Sequence, residues 1–394
     1  MKIQLLKKRE NFLEIFKESI EIFFKEQYLA TNKVKVKYIL NDNLNIVYPS
    51  KINREELREL VREFEYHPNI FRKFFQRIYC YVAIRPLFEL LTGSEKLEIS
   101  IPSSSKKKWV FIPGNHSIRV VDLEKNRCFV FLKFGFNKEF LQSDANIRLK
   151  YKWLKTPKVF QLKETWYEEE RVVGLPWNRL SSINLKKQII IKAEKQLAKL
   201  YQKTNSKINI KKYIPQLCKS ILSTLGGFLL ELPDKEKYII RNFVREVNLK
   251  LTNSFGDVNI DLVITHGDFQ PGNILCSKKD FWIIDWEYSN QRSIFYDALV
   301  FDLDCRFSFG LAKRLNKKIK KLANKNDYLK WTGQSLNNKN SFYLYVFFLE
   351  DLLLRINEVS TESIKNKSEI LSSYLTEISK VQKILIKNIK NYYD

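Results

Sequence analysis

The chain has 394 residues, of which 44% are hydrophobic and 14% aromatic, and its formal net charge is +25. This length and this hydrophobic content exclude a wholly disordered chain and favour two or three domains. The five cysteines are far apart and include no C-x-x-C pair, which argues against a disulfide framework or a zinc site and favours a reducing compartment.

The N-terminal sequence and the net charge limit where the chain is expected to be located and what it is expected to bind. The opening "MKIQLLKKRE" runs directly into charged residues and shows no signal peptide, so we expect a cytoplasmic protein. The positive charge favours the interpretation of a lysine-rich surface, with an anionic partner as the alternative. We predict no specific nucleic acid and leave peripheral contact with an anionic membrane open. The sequence predicts no particular oligomeric state.

Residues 1–100 are predicted to form a mostly helical N-terminal extension. "NFLEIFKESIEIFFKEQY" places apolar residues at three- and four-residue spacing, which is typical of an amphipathic helix. "NIFRKFFQRIYCYVAI" is a basic, aromatic helix that we expect to bury one face against its neighbours. Contact with a membrane surface is the alternative for this helix.

The periodicity changes near residue 108. "KWVFIPGN" and "SIRVVDLEKNRCFVFLKFGF" read as strands, "NKEFLQSDANIRLKYKWL" as a helix, and "KVFQL" and "TWYEEERVV" as strands again. This order predicts a small sheet with one helix packed on it over residues 101–175. Residues 176–394 are predicted to be mainly helical, with a short β island at "IDLVITHGD" and "FWIIDW". The chain is therefore of the α+β class.

The β island contains "HGDFQPGNIL", and this stretch has the residues that phosphoryl transfer requires. Asp268 follows a strand end, where its carboxylate can orient a hydroxyl group and take its proton. Asn273 and Asp285 offer the hard oxygen atoms that Mg²⁺ prefers, and a hairpin is expected to bring them side by side. His266 is better suited to holding the loop than to chemistry.

The pattern His-x-Asp-x-x-Pro-x-Asn followed by Ile-Asp resembles the catalytic and metal-binding loops of protein-kinase-like phosphotransferases. Gly267, "PGNIL" and "IDWEYS" are more similar to the aminoglycoside phosphotransferase and choline kinase branch. The resemblance implies a protein-kinase-like bilobal fold, with a nucleotide-binding small lobe at 101–175 and a catalytic and acceptor-binding lobe at 176–394. It also implies ATP as phosphoryl donor, Mg²⁺ as cofactor and a small-molecule hydroxyl as acceptor.

The resemblance implies further site residues. In the small lobe they are Lys133 on the α- and β-phosphates and the backbone near Glu170 and Val172 against adenine. Gly114 and Ser117 would form a phosphate-covering hairpin, with an ordinary hairpin turn as the alternative. Beside the motif they are Glu287 as a metal or acceptor contact and Asp297 as a brace for the catalytic loop. Glu350 and Asp351 are candidate acceptor contacts, with solvent-facing carboxylates as the alternative.

One feature departs from the family pattern. The strand lysine of the family pairs with a helix glutamate about sixteen to nineteen residues later, but no acidic residue occurs between Asp144 and Glu164. Glu139 and Asp144 come too early. We therefore keep a catalytically impaired, nucleotide-binding regulatory or scaffold protein as the alternative to a small-molecule kinase. A protein kinase is disfavoured by the His-Gly-Asp loop and by the absence of an activation segment after Asp285.

Overall fold

A computed structural model describes residues 3–27, 32–66, 69–85, 94–103, 109–227, 230–277, 280–323, 336 and 340–393. The chain divides into two compact units, one of Met1–Ile190 with Pro271–Glu287 and one of Ile191–Gln270 with Tyr288–Asp394. The predicted α+β class is confirmed. All five cysteines are buried and free of disulfides. Over the described residues, no helix combines the length and the apolar character needed to cross a bilayer.

The first hundred residues contain strands as well as helices. The elements are α1 (Ile3–Arg9), α2 (Phe12–Gln27), β1 (Lys33–Asn41), β2 (Ile46–Pro49), α3 (Arg54–Val61), α4 (Ile70–Ala83) and β3 (Ser94–Pro102). The prediction of a mostly helical extension is therefore only partly right. The sequence of β1, KVKVKYILN, alternates lysine with apolar residues, which is the two-residue period of a strand.

The next part of the first unit follows the predicted order of strands, one helix and strands. Its elements are β4 (Trp109–Pro113), β5 (Ser117–Asp122), β6 (Arg127–Leu132), α5 (Lys138–Lys150), β7 (Val159–Leu162) and β8 (Trp166–Glu170). All eight strands form one antiparallel sheet in the order β3-β1-β2-β4-β5-β6-β8-β7. The sheet thus runs across the boundary expected at residue 100.

Helix α2 covers one face of this sheet. The apolar positions that predicted an amphipathic helix are all buried, and Phe23 stacks on Phe131 of β6 with ring centroids 4.5 Å apart. Burying a side chain of this size stabilises a fold by roughly 1.5–3 kcal/mol relative to leaving it in water. The segment α1–α2 is consequently part of the core of the sheet unit.

Helix α5 covers the other face. Leu141 and Ala145 pack against Val130 of β6 and Tyr167 of β8. Because successive side chains of a strand point to opposite faces, Val130 faces α5 whereas its neighbours Phe129 and Phe131 face α2.

The remaining elements build two small sheets and the helical second unit. They are β9 (Leu175–Pro176), α6 (Ile183–Thr204), β10 (Ser206–Asn209), α7 (Ile210–Gly226), α8 (Asp234–Phe255), β11 (Asn259–Thr265), β12 (Ile274–Cys276), β13 (Phe281–Ile283), β14 (Asn290–Ser293), α9 (Tyr296–Leu303), α10 (Leu311–Ala323), α11 (Phe342–Val359) and α12 (Lys367–Tyr393). Strands β13, β12 and β9 form a sheet in the first unit, and β10, β11 and β14 form one in the second. Helix α11 is buried on nearly all sides, as expected for a helix that is apolar all round.

Candidate active site

In the second unit, the loop after β11 is held by a buried carboxylate. Asp297 accepts hydrogen bonds from the backbone N–H groups of His266 (2.7 Å) and Gly267 (2.9 Å), and from the hydroxyl of Tyr201 (2.7 Å). Asp297 is fully buried at the start of α9. These are the contacts that the predicted bracing role requires.

Two neighbours of Asp268 shape the loop. Gly267 has φ of 84°, and a Cβ atom there would lie 2.2 Å from the carbonyl oxygen of Tyr288, so a residue with a side chain does not fit. His266 is buried, and its Nδ1 accepts a hydrogen bond from the N–H of Asp268 at 3.2 Å. His266 therefore acts on the loop backbone, as its predicted scaffold role requires.

Both oxygens of the Asp268 carboxylate accept hydrogen bonds from neighbouring side chains. Nε of Arg306 donates to Oδ1 at 2.5 Å, and Nε2 of Gln270 donates to Oδ2 at 2.9 Å. Arg306 also donates to the carbonyl oxygen of Gly267, lies over the ring of Tyr288 and has Glu358 at 3.6 Å. Arg306 was not predicted from the sequence, because it lies 38 residues after Asp268 in a segment without a motif.

In the first unit, Asn273 and Asp285 are brought together by a hairpin. Ile274 pairs with Ile283, and the carbonyl oxygen of Asn273 accepts a hydrogen bond from the N–H of Ile284 at 3.0 Å. This is the hairpin predicted for the two metal ligands. Asp285 has φ of 66°, a left-handed conformation that is uncommon for residues other than glycine and that recurs at functional sites.

The peptide after Asp285 is fixed by helix α5. Oδ1 of Asp144 accepts a hydrogen bond from the N–H of Trp286 at 3.0 Å, and Oδ2 accepts one from the hydroxyl of Tyr167. Arg148 lies 3.3 Å from the same carboxylate. The acid of the helix therefore positions the Asp285 loop instead of pairing with a strand lysine.

A cavity of about 160 Å³ lies within the first unit. Ser117 and Gly114 of the β4–β5 turn line it together with Asp285 and Glu287. Their roles in phosphate and metal binding stay predictions. The Gly114 N–H donates to the carbonyl oxygen of Ser117 at 2.9 Å, so the turn is closed by its own hydrogen bond. Typical small-ligand pockets measure roughly 300–1,000 Å³. The cavity is smaller than such pockets.

Lys133 is not among the residues that line this cavity. Its Nζ lies 2.5 Å from Oε1 of Glu10, which follows α1, and both side chains are almost completely inaccessible to solvent. Arg9 donates to the other oxygen of Glu10 at 2.8 Å. Burial lowers the pKa of Lys133 to about 8, because the Glu10 carboxylate offsets the loss of hydration only in part. The N-terminal segment thus supplies the carboxylate that the sequence lacks after Lys133.

Arg119 is the one cation among the described residues that line the cavity. It lies on β5 directly opposite Val130, and its Nε donates to Oε1 of Glu169 at 2.9 Å. Its side chain is 31% exposed, whereas that of Lys133 is 1% exposed. Although burial acts to lower it, the pKa of Arg119 is raised well above its ordinary value by the nearby Glu169, Tyr167 and Asp285. Sequence reasoning passed over Arg119 because it considered the strand lysine alone.

The predicted adenine contacts lie outside this cavity. The N–H of Glu170 donates to the carbonyl oxygen of Lys158 at 2.8 Å, and Glu170 pairs with Arg127 across the sheet. The Glu170 N–H is therefore already used within the sheet. Val172 lies in the loop that follows β8, and its contact with adenine stays a prediction.

Glu350 and Asp351 stabilise the second unit from within. Glu350 accepts hydrogen bonds from the N–H and hydroxyl of Ser293 and from the hydroxyl of Tyr213, at 2.6–2.7 Å. Asp351 accepts one from the hydroxyl of Tyr374 at 2.7 Å. Both carboxylates are buried. The alternative of a solvent-facing helix surface is therefore wrong for this pair, and contact with an acceptor stays a prediction.

No family model matches the sequence, and no curated protein matches it. Solved structures similar to the chain include a choline/ethanolamine kinase family protein from Mesorhizobium loti, with 13% identity, coverage of 79% of this chain and 94% of that chain, and a TM-score of 0.43. An ethanolamine kinase from Plasmodium vivax has 14% identity, 84% and 94% coverage and a TM-score of 0.44. An aminoglycoside phosphotransferase from Streptomyces rimosus has 14% identity, 61% and 92% coverage and a TM-score of 0.38.

These proteins are choline/ethanolamine kinases and an aminoglycoside phosphotransferase, which are the kinds of protein that the motif resembles. Their identities and TM-scores are too low to establish that the chain belongs to that family. The functional assignment therefore rests on the residues of the site.

Proposed function

We propose that the protein is an ATP- and Mg²⁺-dependent phosphotransferase that acts on a hydroxyl group of a small molecule, such as an amino alcohol, an aminoglycoside or a sugar. The observation that carries this proposal is the cavity of the first unit, which Asp285 and Glu287 line together with Gly114 and Ser117. Carboxylates for a metal beside a hairpin with a hydroxyl are what a magnesium-bound phosphate chain requires.

The residues present fit a magnesium ion. Asn273 and Asp285 would hold it through one amide and one carboxylate oxygen, with phosphate oxygens and water completing the coordination. The described residues contain no group of three or more His, Cys, Asp or Glu side chains arranged for a metal. When bound, the ion neutralises charge on the phosphates.

Asp268 is assigned as the residue that contacts the acceptor hydroxyl. Its carboxylate would orient the acceptor hydroxyl and take its proton as the phosphoryl group is transferred. Each carboxylate oxygen has two lone pairs, so the contacts with Arg306 and Gln270 leave capacity for a further donor. Arg306 and Asp297 are assigned as positioning residues, one for the carboxylate and one for the loop backbone.

Arg119 is assigned as the cation that contacts the phosphates, in place of Lys133. A phosphate chain in the cavity meets the guanidinium of Arg119, whereas the ammonium of Lys133 is held by Glu10 on the α2 side of the sheet. Arginine suits this role because its fork of donors matches phosphate oxygens. Lys133 and Glu10 then stabilise the first unit.

A second candidate function is a catalytically impaired protein that binds nucleotide in a regulatory or scaffold role. The contact that favours it is the Lys133–Glu10 ion pair, which removes the predicted phosphate ligand from the cavity. The presence of Asp268, Asn273 and Asp285 disfavours it. The two candidates share nucleotide binding and differ in turnover.

Nucleotide binding is tested by titration calorimetry of ATP with and without Mg²⁺. We expect binding that requires Mg²⁺ in the natural protein and that is lost in Asp285→Asn. Asp280→Asn is the matched control, since Asp280 forms a surface ion pair with Lys155 outside the cavity. Absence of ATP binding in the presence of Mg²⁺, or equal affinity in Asp285→Asn, would overturn both candidates.

A further inference from the structure

Helix α4 has two apolar faces, and one of them is packed. Cys80 and Ala83 are buried in a core cluster with Leu57 of α3 and Tyr48 of β2. The side chain of Asn69 caps the helix by accepting a hydrogen bond from the N–H of Arg72 at 3.1 Å. The packed face therefore anchors α4 to the first unit and fixes which residues point outward.

The opposite face of α4 is apolar and exposed. Phe71 is 74% exposed, Phe74 61% and Phe75 67%. Phe74 and Phe75 contact each other edge to face with ring centroids 5.8 Å apart. The exposed large apolar side chains of this face are Ile70, Phe71, Phe74, Phe75, Ile78 and Tyr81. A group of this kind on one face of a helix marks an interaction site, because single exposed apolar residues are common but contiguous patches are not.

The charged residues of α4 itself are all basic. The sequence from Asn69 to Arg85 contains four basic residues and no acidic residue. Arg72, Arg77 and Arg85 are exposed, and the guanidinium of Arg85 lies over the ring of Tyr81 at 4.2 Å. Aromatic side chains and basic side chains thus occur together on the solvent side of one short helix.

We propose that the exposed face of α4 docks on the surface of a lipid bilayer that contains anionic headgroups. Helices that lie in a bilayer interface combine aromatic and aliphatic side chains on one face with arginine and lysine beside it. The apolar face would enter the boundary of the acyl chains, while Arg72 and Arg77 would contact headgroup phosphates. This inference is independent of the proposed kinase activity.

The same chemistry disfavours a nucleic acid as the occupant. A nucleic acid would use the basic residues but would leave six apolar side chains in water. The packed side of α4 confirms the expectation that this helix buries one face against its neighbours. The exposed aromatic side is what supports the alternative, contact with a membrane surface.

The test is co-sedimentation of the full chain with vesicles of phosphatidylcholine alone or mixed with phosphatidylglycerol. We expect binding to the mixed vesicles that falls steeply with salt. The double variant Phe71→Ser with Phe75→Ser should lose about tenfold or more in affinity, and so should Arg72→Gln with Arg77→Gln. Both pairs are exposed, and unchanged circular dichroism and thermal melting would show that the variants fold.

Matched controls separate docking by α4 from general attraction to a charged protein. Phe307→Ser with Phe309→Ser removes two exposed phenylalanines elsewhere, and Lys313→Gln with Lys317→Gln removes two exposed charges of α10. We expect both controls to bind like the natural protein. The proposal is overturned if the natural protein does not bind vesicles, or if the control variants lose as much vesicle affinity as the α4 variants. It is also overturned if the natural protein self-associates and the Phe71/Phe75 variant abolishes that association.

Discussion

Replacing Asp268 by Asn is expected to reduce turnover by about 10²–10⁴-fold, which is the range that a positioned general base contributes. The amide has the shape of the carboxylate but cannot take a proton from an acceptor hydroxyl. Binding of Mg²⁺ and nucleotide should persist, because the proposed ligands for them, Asn273 and Asp285, are unchanged. Rates of ADP formation and calorimetric affinities measured on the same preparation check both halves of this expectation.

The control for this substitution lies on β11, the strand that precedes the Asp268 loop. Asp261→Asn makes the same chemical change on β11 but outside the loop after that strand, and we expect it to leave turnover unaltered. Turnover in Asp268→Asn that equals the natural rate would remove Asp268 from its proposed role. A variant that also fails to bind nucleotide would instead indicate a structural role for the Asp268–Arg306 contact.

The second large effect concerns the cation of the cavity. Arg119→Met is expected to weaken binding of magnesium-bound nucleotide by about 10- to 100-fold, because hydrogen bonds to charged groups contribute about 1.5–3 kcal/mol and each 1.4 kcal/mol is tenfold in affinity. The substitution leaves Glu169 paired, since Arg148 donates to its other oxygen at 2.7 Å. Calorimetry of ATP binding with Mg²⁺ measures the effect.

Lys133→Met is the matched comparison. It removes a buried cation while Glu10 keeps its contacts with Arg9, so the fold should tolerate it. We expect a changed melting temperature and an unchanged nucleotide affinity. If Lys133→Met weakens binding and Arg119→Met does not, the roles assigned to the two residues are reversed and the nucleotide site lies on the other face of the sheet.

The motif residues could be predicted from the sequence because their geometry is local. His266 to Asp285 span one turn and one hairpin, and the pairing of Ile274 with Ile283 follows from two short apolar runs joined by a polar turn. Asp297 was also predicted, through the family pattern. Its contacts with two successive N–H groups of the loop agree with that prediction.

The pairing of Lys133 with Glu10 could not be predicted because the two residues are 123 positions apart. Sequence spacing informs contacts along one helix or hairpin, but not contacts created by packing a distant segment on a sheet. Phe129 and Phe131 of β6 lie on the face that α2 covers, but β6 ends at Leu132, so the two-residue period of the strand does not fix the direction of Lys133.

The strands among the first hundred residues were missed for a different reason. The helical stripe of α2 dominated the interpretation of that region, although the alternating sequence of β1 has the period of a strand. The exposure of the aromatic residues of α4 could not be predicted. An amphipathic pattern shows that a helix has an apolar face and does not show what covers it.

The most direct test of the proposed phosphotransferase is release of ADP from magnesium-bound ATP across a panel of acceptors. The panel should include an amino alcohol, an aminoglycoside and a sugar, with Asp268→Asn as the inactive comparison. We predict that one acceptor class raises the rate of ADP release above the rate of ATP hydrolysis in water alone, and that Asp268→Asn abolishes this rise. A natural protein that binds ATP with Mg²⁺ but shows no stimulated ADP release with any class would contradict the proposal and favour the catalytically impaired nucleotide-binding protein.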